Sequence, residues 1–137
     1  MNFKEIFENN KTIAVYGMST DISKPSHTVP GYMLKQGYNV IPINPNAELI
    51  LKQKVYKSLA DISDKIDILN VFRPSEQVYP IVVEAVERHK KTGDINVIWL
   101  QLGIVSHESK KLAEENGIVF VQNKCIYVEH VNYKNAH

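Results

Sequence analysis

The sequence is short of the features that mark secreted, membrane and disulfide-stabilised proteins. Its 137 residues include one cysteine, Cys125, so an internal disulfide framework is excluded. No segment approaches the roughly 18 consecutive apolar residues of a membrane-spanning helix. The first residues lack the apolar core of a signal peptide. From these absences we expect a cytoplasmic protein with no membrane as a partner.

The sequence also lacks an excess of charge of either sign. It has 16 basic and 15 acidic residues, a net charge of +1, and its basic residues are scattered. Nucleic-acid-binding proteins carry clustered basic residues, so we expect no nucleic acid partner. A chain of this length buries about two thirds of its unfolded surface as one domain. We therefore predict a single domain over residues 1–137.

What is present is a regular alternation of strand and helix patterns. Apolar runs of strand length, rich in Val and Ile, occupy residues 12–16, 39–43, 66–72, 96–100 and 118–121. Helical patterns lie between them, at residues 29–36, 59–63, 78–89 and 107–116, the last bounded by Ser106 and Gly117. The runs are continuously apolar, which is typical of strands covered on both faces. The pattern predicts an α/β fold with a five-stranded parallel sheet and helices on both faces.

In such sheets, ligands bind beyond the carboxyl ends of the strands. The residues that follow the first four strands include glycines, amides and one arginine: Gly17-Met18-Ser19, Asn44-Pro45, Phe72-Arg73 and Gln101-Leu102-Gly103. These residues should converge on one edge of the sheet.

The loop after the first strand has the composition of a phosphate-binding loop. Gly17 allows a tight turn, Ser19 and Thr20 offer hydroxyls, and Lys24 supplies a positive charge. Lys24-Pro25-Ser26 leads into the next helix, which we expect to begin at residue 29 with Ser26 or Thr28 as its cap. The full Gly-x-Gly-x-x-Gly motif is absent, so an ordinary connection between strand and helix is the alternative.

The other strand ends each allow two interpretations. Asn44 stands where NAD-binding domains carry an acidic residue, which disfavours NAD, and Asn44-Pro45 is also a common turn. Arg73 beside Phe72 suits phosphate recognition next to an adenine, or a salt bridge to a neighbouring helix. Gln101 and Gly103 can bond an amide-bearing ligand or form a simple loop. We assign Trp99 to the core.

Cys125 lies close to Glu129 and His130, which suggests a thiol with a base. We interpret it as a buried structural cysteine, because cysteine is among the most buried residue types and reactivity needs an electropositive site. The histidines have no metal-ligand spacing, and only His27 lies near the first loop.

Seven segments together resemble the small stand-alone coenzyme A-binding proteins. They are Gly17-Met18-Ser19, Lys24-Pro25-Ser26 and residues 37–45, 56–62, 71–73, 99–103 and 125–130. That family is similar to the coenzyme A-binding domain of the succinyl-CoA synthetase alpha subunit, and the resemblance implies a Rossmann-like fold. Three departures are Met18, where alanine is common, Asn123-Lys124, where Asp-Arg is typical, and Asn132 after His130, where a basic residue is often near.

The resemblance implies a role for each strand end. Gly17, Met18 and Ser19 would approach the phosphates, supported by Lys24 and Ser26. Asn44 and Pro45 would lie near the nucleotide, Phe72 and Arg73 beside adenine or pantetheine, and Gln101 and Gly103 along the pantetheine arm.

We therefore expect a binding protein for coenzyme A or an acyl-CoA that has no complete catalytic site of its own. Any acyl transfer would need another polypeptide, so a protein partner or a homo-oligomer is expected. The alternatives are an NAD(P)- or other nucleotide-dependent enzyme and a nucleotide-sensing regulatory module, since one fold serves many functions.

Overall fold

The computed structural model describes all residues, 1–137. Its strands are β1 (Thr12–Tyr16), β2 (Asn39–Ile43), β3 (Leu49–Ile50), β4 (Gln53–Lys54), β5 (Ile68–Val71), β6 (Val97–Leu100) and β7 (Val119–Val121). Its helices are α1 (Phe3–Asn9), α2 (Pro25–Lys35), α3 (Val78–Thr92), α4 (His107–Glu115) and α5 (Ile126–Ala136). Short 3-10 turns cover Leu59–Asp61 and Ser75–Gln77. None of the helices combines the length and apolarity needed to cross a membrane.

The five longer strands form one parallel sheet in the order β2-β1-β5-β6-β7. The chain runs outward from β1 to β2 and then crosses back to place β5 on the other side of β1. The strand order therefore reverses between β1 and β5, and crevices at such reversals are where open α/β sheets bind ligands. β3 and β4 form a separate antiparallel hairpin.

Helices cover both faces of the sheet, as the continuous apolar runs predict. All four residues of β5 and of β6 are buried. One core cluster joins the sheet to α3 and α4, and includes Val78, Val82 and Ala113. The other joins it to α1, α2 and α5, and Trp99 lies within it, completely buried. The predicted α/β fold, with a five-stranded parallel sheet in one domain, is confirmed.

Several predicted boundaries differ from the structure. α2 begins at Pro25 instead of residue 29, because a proline suits the first turn of a helix. Its N-cap residue is Lys24, and no side chain caps the helix, so the predicted caps Ser26 and Thr28 lie within its first turn. α3 runs three residues past its predicted end, to Thr92, and is ended by Gly93 with a φ of 79°. The predicted helix at 59–63 is a single 3-10 turn.

Three elements were not predicted: α1, α5 and the hairpin. α1 carries a sequence signal, because Asn2 and Glu5 form a capping box, with the Glu5 N–H donating to Asn2 Oδ1 at 2.9 Å. α5 mixes apolar and polar residues on every side, so it has no clear apolar stripe from which to predict it.

An aromatic cluster holds α1, α2 and α5 together around His130. The side chain of His130 is buried, and its Nδ1 lies 2.8 Å from the Tyr32 hydroxyl of α2. Its ring meets Phe7 of α1 edge-on, with 5.0 Å between centroids. Burial, with smaller contributions from Lys134 and Lys11, lowers the pKa of His130. The imidazole is therefore held in its neutral form within the cluster.

On the face of the sheet covered by α3 and α4, Arg88 and Asp94 form a largely buried ion pair. Arg88 of α3 lies 3.0 Å from Asp94 and donates hydrogen bonds to the carbonyls of Leu59 and Ile62. Asp94 also accepts the Ile66 N–H at 3.1 Å. Burial alone raises the pKa of Asp94, but the hydrogen bonds from Arg88, Ile66 and Thr92 outweigh it and hold that pKa below its ordinary value.

We expect Arg88→Ala to lower the free energy of unfolding by about 3 kcal/mol, because it leaves a buried carboxylate and several carbonyls unpaired. Urea denaturation at neutral pH measures the loss. Since the folded pKa of Asp94 is lowered, the contribution of the pair is complete above about pH 4 and is lost as pH falls through the lowered value. Lys90→Ala, on the exposed side of the same helix, is the control and should change stability by less than about 0.5 kcal/mol. Equal losses in the two variants would contradict this role for Arg88.

Candidate functional site

Gly17 occupies the point where the strand order reverses. Its N–H donates to Ile43 O of β2 at 3.0 Å, and the Phe72 N–H, just after β5, donates to Tyr16 O at 2.9 Å. The φ of Gly17 is +91°, and a Cβ on it would lie 2.8 Å from both Phe72 O and Arg73 Cδ. A glycine is therefore required here both by conformation and by the close approach of the β5 end.

Hydrogen bonds fix the loop that follows Gly17. The Ser19 N–H donates to Ser26 O at 3.1 Å, and His27 Nδ1 lies 2.8 Å from Ser19 O. Asn44, at the end of β2, donates from Nδ2 to Met18 O at 2.8 Å. The loop is thus held by α2 on one side and by β2 on the other.

Some donors around this loop have no acceptor within the chain. They are the backbone N–H groups of Met18, Thr20 and Ser26. Ser26 lies in the first turn of α2, where the aligned peptide dipoles favour negative charge. Because no side chain caps this helix, its N-terminal end can accept an external anion.

A cleft of about 620 Å³, here called the main cleft, opens beside the N-terminus of α2. It extends past the ends of β5 and β6 to the start of α5. Six of the predicted site residues line it: Lys24, Pro25, Ser26, Phe72, Arg73 and Gln101. The loops after β1, β5 and β6 therefore meet at one edge of the sheet.

A second hollow of about 400 Å³, here called the side pocket, adjoins the main cleft. Gly17 and Pro45 line it, together with Lys57, which the sequence analysis did not propose as a site residue. Arg73 lines both hollows and lies between them. The two hollows, which share Arg73, lie along the carboxyl edge of the sheet and are together called the track.

The positive charges on this track have no carboxylate partner. Arg73 donates through Nε and one terminal nitrogen to Gln77 Oε1, at 3.1 and 2.8 Å, and Gln77 is neutral. The alternative in which Arg73 forms a salt bridge with a helix is therefore wrong. Lys24 is also in no ion pair, unlike Arg88, which is paired with Asp94. The free cations make the main cleft favourable for an anion.

Gln101 presents one end of its amide to the main cleft. Its side chain is buried, and its Oε1 accepts the Ile126 N–H at 3.0 Å and Asn70 Nδ2 at 3.3 Å. A backbone N–H can only donate, so the oxygen must be the end that faces Ile126. The Gln101 Nε2 group has no partner in the chain, and it is a free donor at the cleft wall. The buried Asn70 behind it was not foreseen.

Several predicted site residues do not line either hollow. Met18 is completely buried as a whole residue, backbone included. Asn44 uses Nδ2 on Met18 and Oδ1 on the Asn46 N–H, and the Gly103 N–H donates to Asn123 Oδ1 at 2.8 Å. Ser19 and Thr20 lie in the loop beside the cleft. Ligand contact by these five residues stays a prediction.

Cys125 is less buried than predicted. It is half-buried and lines the main cleft from the N-cap position of α5, so the interpretation as a buried cysteine is wrong. Leu102 and Ile104 line the same wall and were not proposed. Leu102 is 69% exposed.

Comparison with known protein families identifies the family of this chain. A family model described as a CoA-binding domain matches residues 11–131, which include both hollows. The chain belongs to the CoA-binding domain family. The Bacillus subtilis protein YneT is 39% identical over 127 residues, which cover 93% of this chain and 90% of that protein.

Longer relatives of this CoA-binding domain are ligase subunits. The alpha subunit of the ADP-forming acetate–CoA ligase II of Pyrococcus furiosus is 29% identical over 121 residues, which cover 88% of this chain but 26% of that subunit. Among solved structures, a Thermus thermophilus protein, cell-free ID.343, matches with a TM-score of 0.88 and 36% identity. That match covers 97% of this chain and 99% of the other.

Gly17→Ala should lower the free energy of unfolding by about 2 to 4 kcal/mol, because it combines an unfavourable φ with a clash against the Phe72 carbonyl. Gly117→Ala is the matched control: its φ is +76°, but a Cβ there meets nothing within 4 Å, so about 1 kcal/mol is expected. Thermal and urea unfolding measure both. If the two variants lose the same stability, the close approach at Gly17 contributes nothing.

Proposed function

We propose that the protein binds coenzyme A, or an acyl-CoA, along the main cleft and the side pocket. The observation that carries this proposal is that two cations without a carboxylate partner, Lys24 at the uncapped N-terminus of α2 and Arg73 after β5, line one cleft in a member of the CoA-binding domain family. The diphosphate of coenzyme A is the group that these charges and the Ser26 N–H suit best.

The rest of the main cleft suits the pantetheine arm. That arm is a chain of methylenes and two amides that ends in a thiol, so it needs apolar walls with a few hydrogen-bonding groups. Phe72, Leu102 and Ile104 provide the apolar surface, and Gln101 Nε2 provides a donor for an amide carbonyl. The arm would therefore extend from Arg73 toward the ends of β6 and α5.

The side pocket suits the nucleotide end. Pro45, Ile43 and Ile81 offer flat apolar contacts to an adenine, and Lys57 adds a third cation. Coenzyme A carries a phosphate on its ribose in addition to the diphosphate, and Lys57 is available to it. Arg73 lies where the two halves of the ligand would join.

The proposed role is binding without a complete catalytic site. The P. furiosus ligase subunit is named for an acetate–CoA ligase, and this chain corresponds to 26% of its length. We therefore assign to this chain the coenzyme-binding step, and we assign acyl transfer, where it occurs, to a second polypeptide. An NAD-type role is disfavoured because Asn44 is neutral and uses both ends of its amide within the loops.

Arg73→Ala should weaken coenzyme A binding by about tenfold to a hundredfold, since a hydrogen bond to a charged group contributes about 1.5 to 3 kcal/mol. Lys24→Ala should act in the same direction, and Ser19→Glu should also weaken binding by placing a negative charge beside the phosphates. Calorimetric titration of ligand-free protein with coenzyme A, NAD, NADP and ATP measures affinity and selectivity. Lys110→Ala, on exposed α4, is the control and should bind as the wild type does.

Urea unfolding of each variant checks that the fold is unchanged, which we expect because Arg73 and Lys24 are exposed. Tight binding of NAD alone, or unchanged coenzyme A affinity in both Arg73→Ala and Lys24→Ala, would contradict the proposal. Salt should weaken the wild-type complex more than the Arg73→Ala complex, because the lost contact is ionic.

A further inference from the structure

We propose that Cys125 forms a reversible mixed disulfide with the thiol of the coenzyme in the main cleft. This inference rests on the proposed function, and it assigns both the direction of the ligand in the cleft and a covalent state of the complex. It starts from two independent observations at the same wall, the half-buried thiol of Cys125 and the free amide nitrogen of Gln101.

Gln101 and Cys125 are neighbours because of one hydrogen bond. Gln101 Oε1 accepts the N–H of Ile126, the residue directly after Cys125, at 3.0 Å. That bond, with the second one from Asn70, leaves Gln101 Nε2 without an acceptor, although Gln101 as a residue is 95% buried. Because no fully buried side-chain nitrogen or oxygen lacks a partner, this nitrogen is accessible from the main cleft, where an acceptor on a ligand can bond to it.

The distribution of charge along the cleft sets the direction of the ligand. Lys24 and Arg73 lie at the N-terminus of α2 and the end of β5, whereas the wall around Cys125 is apolar, with Leu102 and Ile104. A ligand with phosphates at one end and an amide-linked thiol at the other satisfies both ends in one orientation only. In that orientation its last amide faces Gln101 and its sulfur faces Cys125.

Cys125 is free to react in that position. It is the single cysteine of the chain, and its sulfur takes part in no hydrogen bond. Its side chain is in contact with the core cluster yet remains partly accessible from the cleft. It therefore meets the requirement of access for thiol–disulfide exchange.

The step is an exchange with the symmetrical disulfide of coenzyme A. The Cys125 thiolate attacks one sulfur of that disulfide, a new S–S bond forms between Cys125 and one coenzyme, and the original S–S bond breaks. The second coenzyme leaves as a thiolate and takes up one proton, which balances the proton lost from Cys125. There is no net oxidation, and a free thiol reverses the step by the same route.

The test is intact-mass spectrometry of the full chain after incubation with coenzyme A disulfide without reductant. We expect one coenzyme A moiety per chain, located on Cys125 and removed by dithiothreitol. Modification should be about tenfold or more faster than with glutathione disulfide, which corresponds to about 1.4 kcal/mol from binding in the cleft. Arg73→Ala should remove that advantage while leaving the glutathione rate unchanged.

A parallel calorimetric titration with reduced coenzyme A separates the two proposals. Cys125→Ser should take up no coenzyme A from the disulfide, which locates the modification on Cys125. If reduced coenzyme A binds but Cys125 stays unmodified, or reacts with the two disulfides at the same rate, the mixed disulfide directed by the cleft is wrong and the binding function stands. If reduced coenzyme A does not bind and Arg73→Ala has no effect on either rate, both proposals are wrong.

Discussion

The close approach of the β5 end to Gly17 is the constraint on which the rest of the site depends. Three loops meet there: the Gly17 N–H is bonded to β2, the Phe72 N–H is bonded to β1, and no room remains for a Cβ. Phe72 and Arg73 lie directly against Gly17 at the start of the first loop, and the Arg73 side chain lines both hollows.

The site is largely arranged before any ligand arrives. The backbone around Ser19 is tied to α2 by two contacts, and Asn44 ties the same loop to β2. The groups left for a ligand are the Ser26 N–H and Gln101 Nε2, which have no acceptor, and the cations of Lys24 and Arg73, which have no carboxylate partner. A ligand therefore meets fixed donors, and little conformational entropy is lost when it binds.

The sheet could be predicted from the sequence because its five strands are continuously apolar and the segments between them have clear helical patterns. The parallel arrangement then places the strand ends on one edge, which was enough to identify six residues of the main cleft. What could not be predicted depends on contacts distant in sequence. Cys125 and Leu102 line the cleft only because α5 docks beside β6, and α5 has no apolar stripe to reveal it. The hydrogen bonds by which Asn44 holds Met18 and Asn46 likewise could not be read from its place after β2.

The contact between Tyr32 and His130 joins residues 98 positions apart and couples α2 to α5. Both helices border the main cleft, α2 through Lys24 to Val29 and α5 through Cys125. Because Cys125 at the start of α5 forms part of its wall, the main cleft is complete only while α5 stays docked against α2. Separation of the two helices would open the cleft on that side and expose the apolar residues that α5 covers.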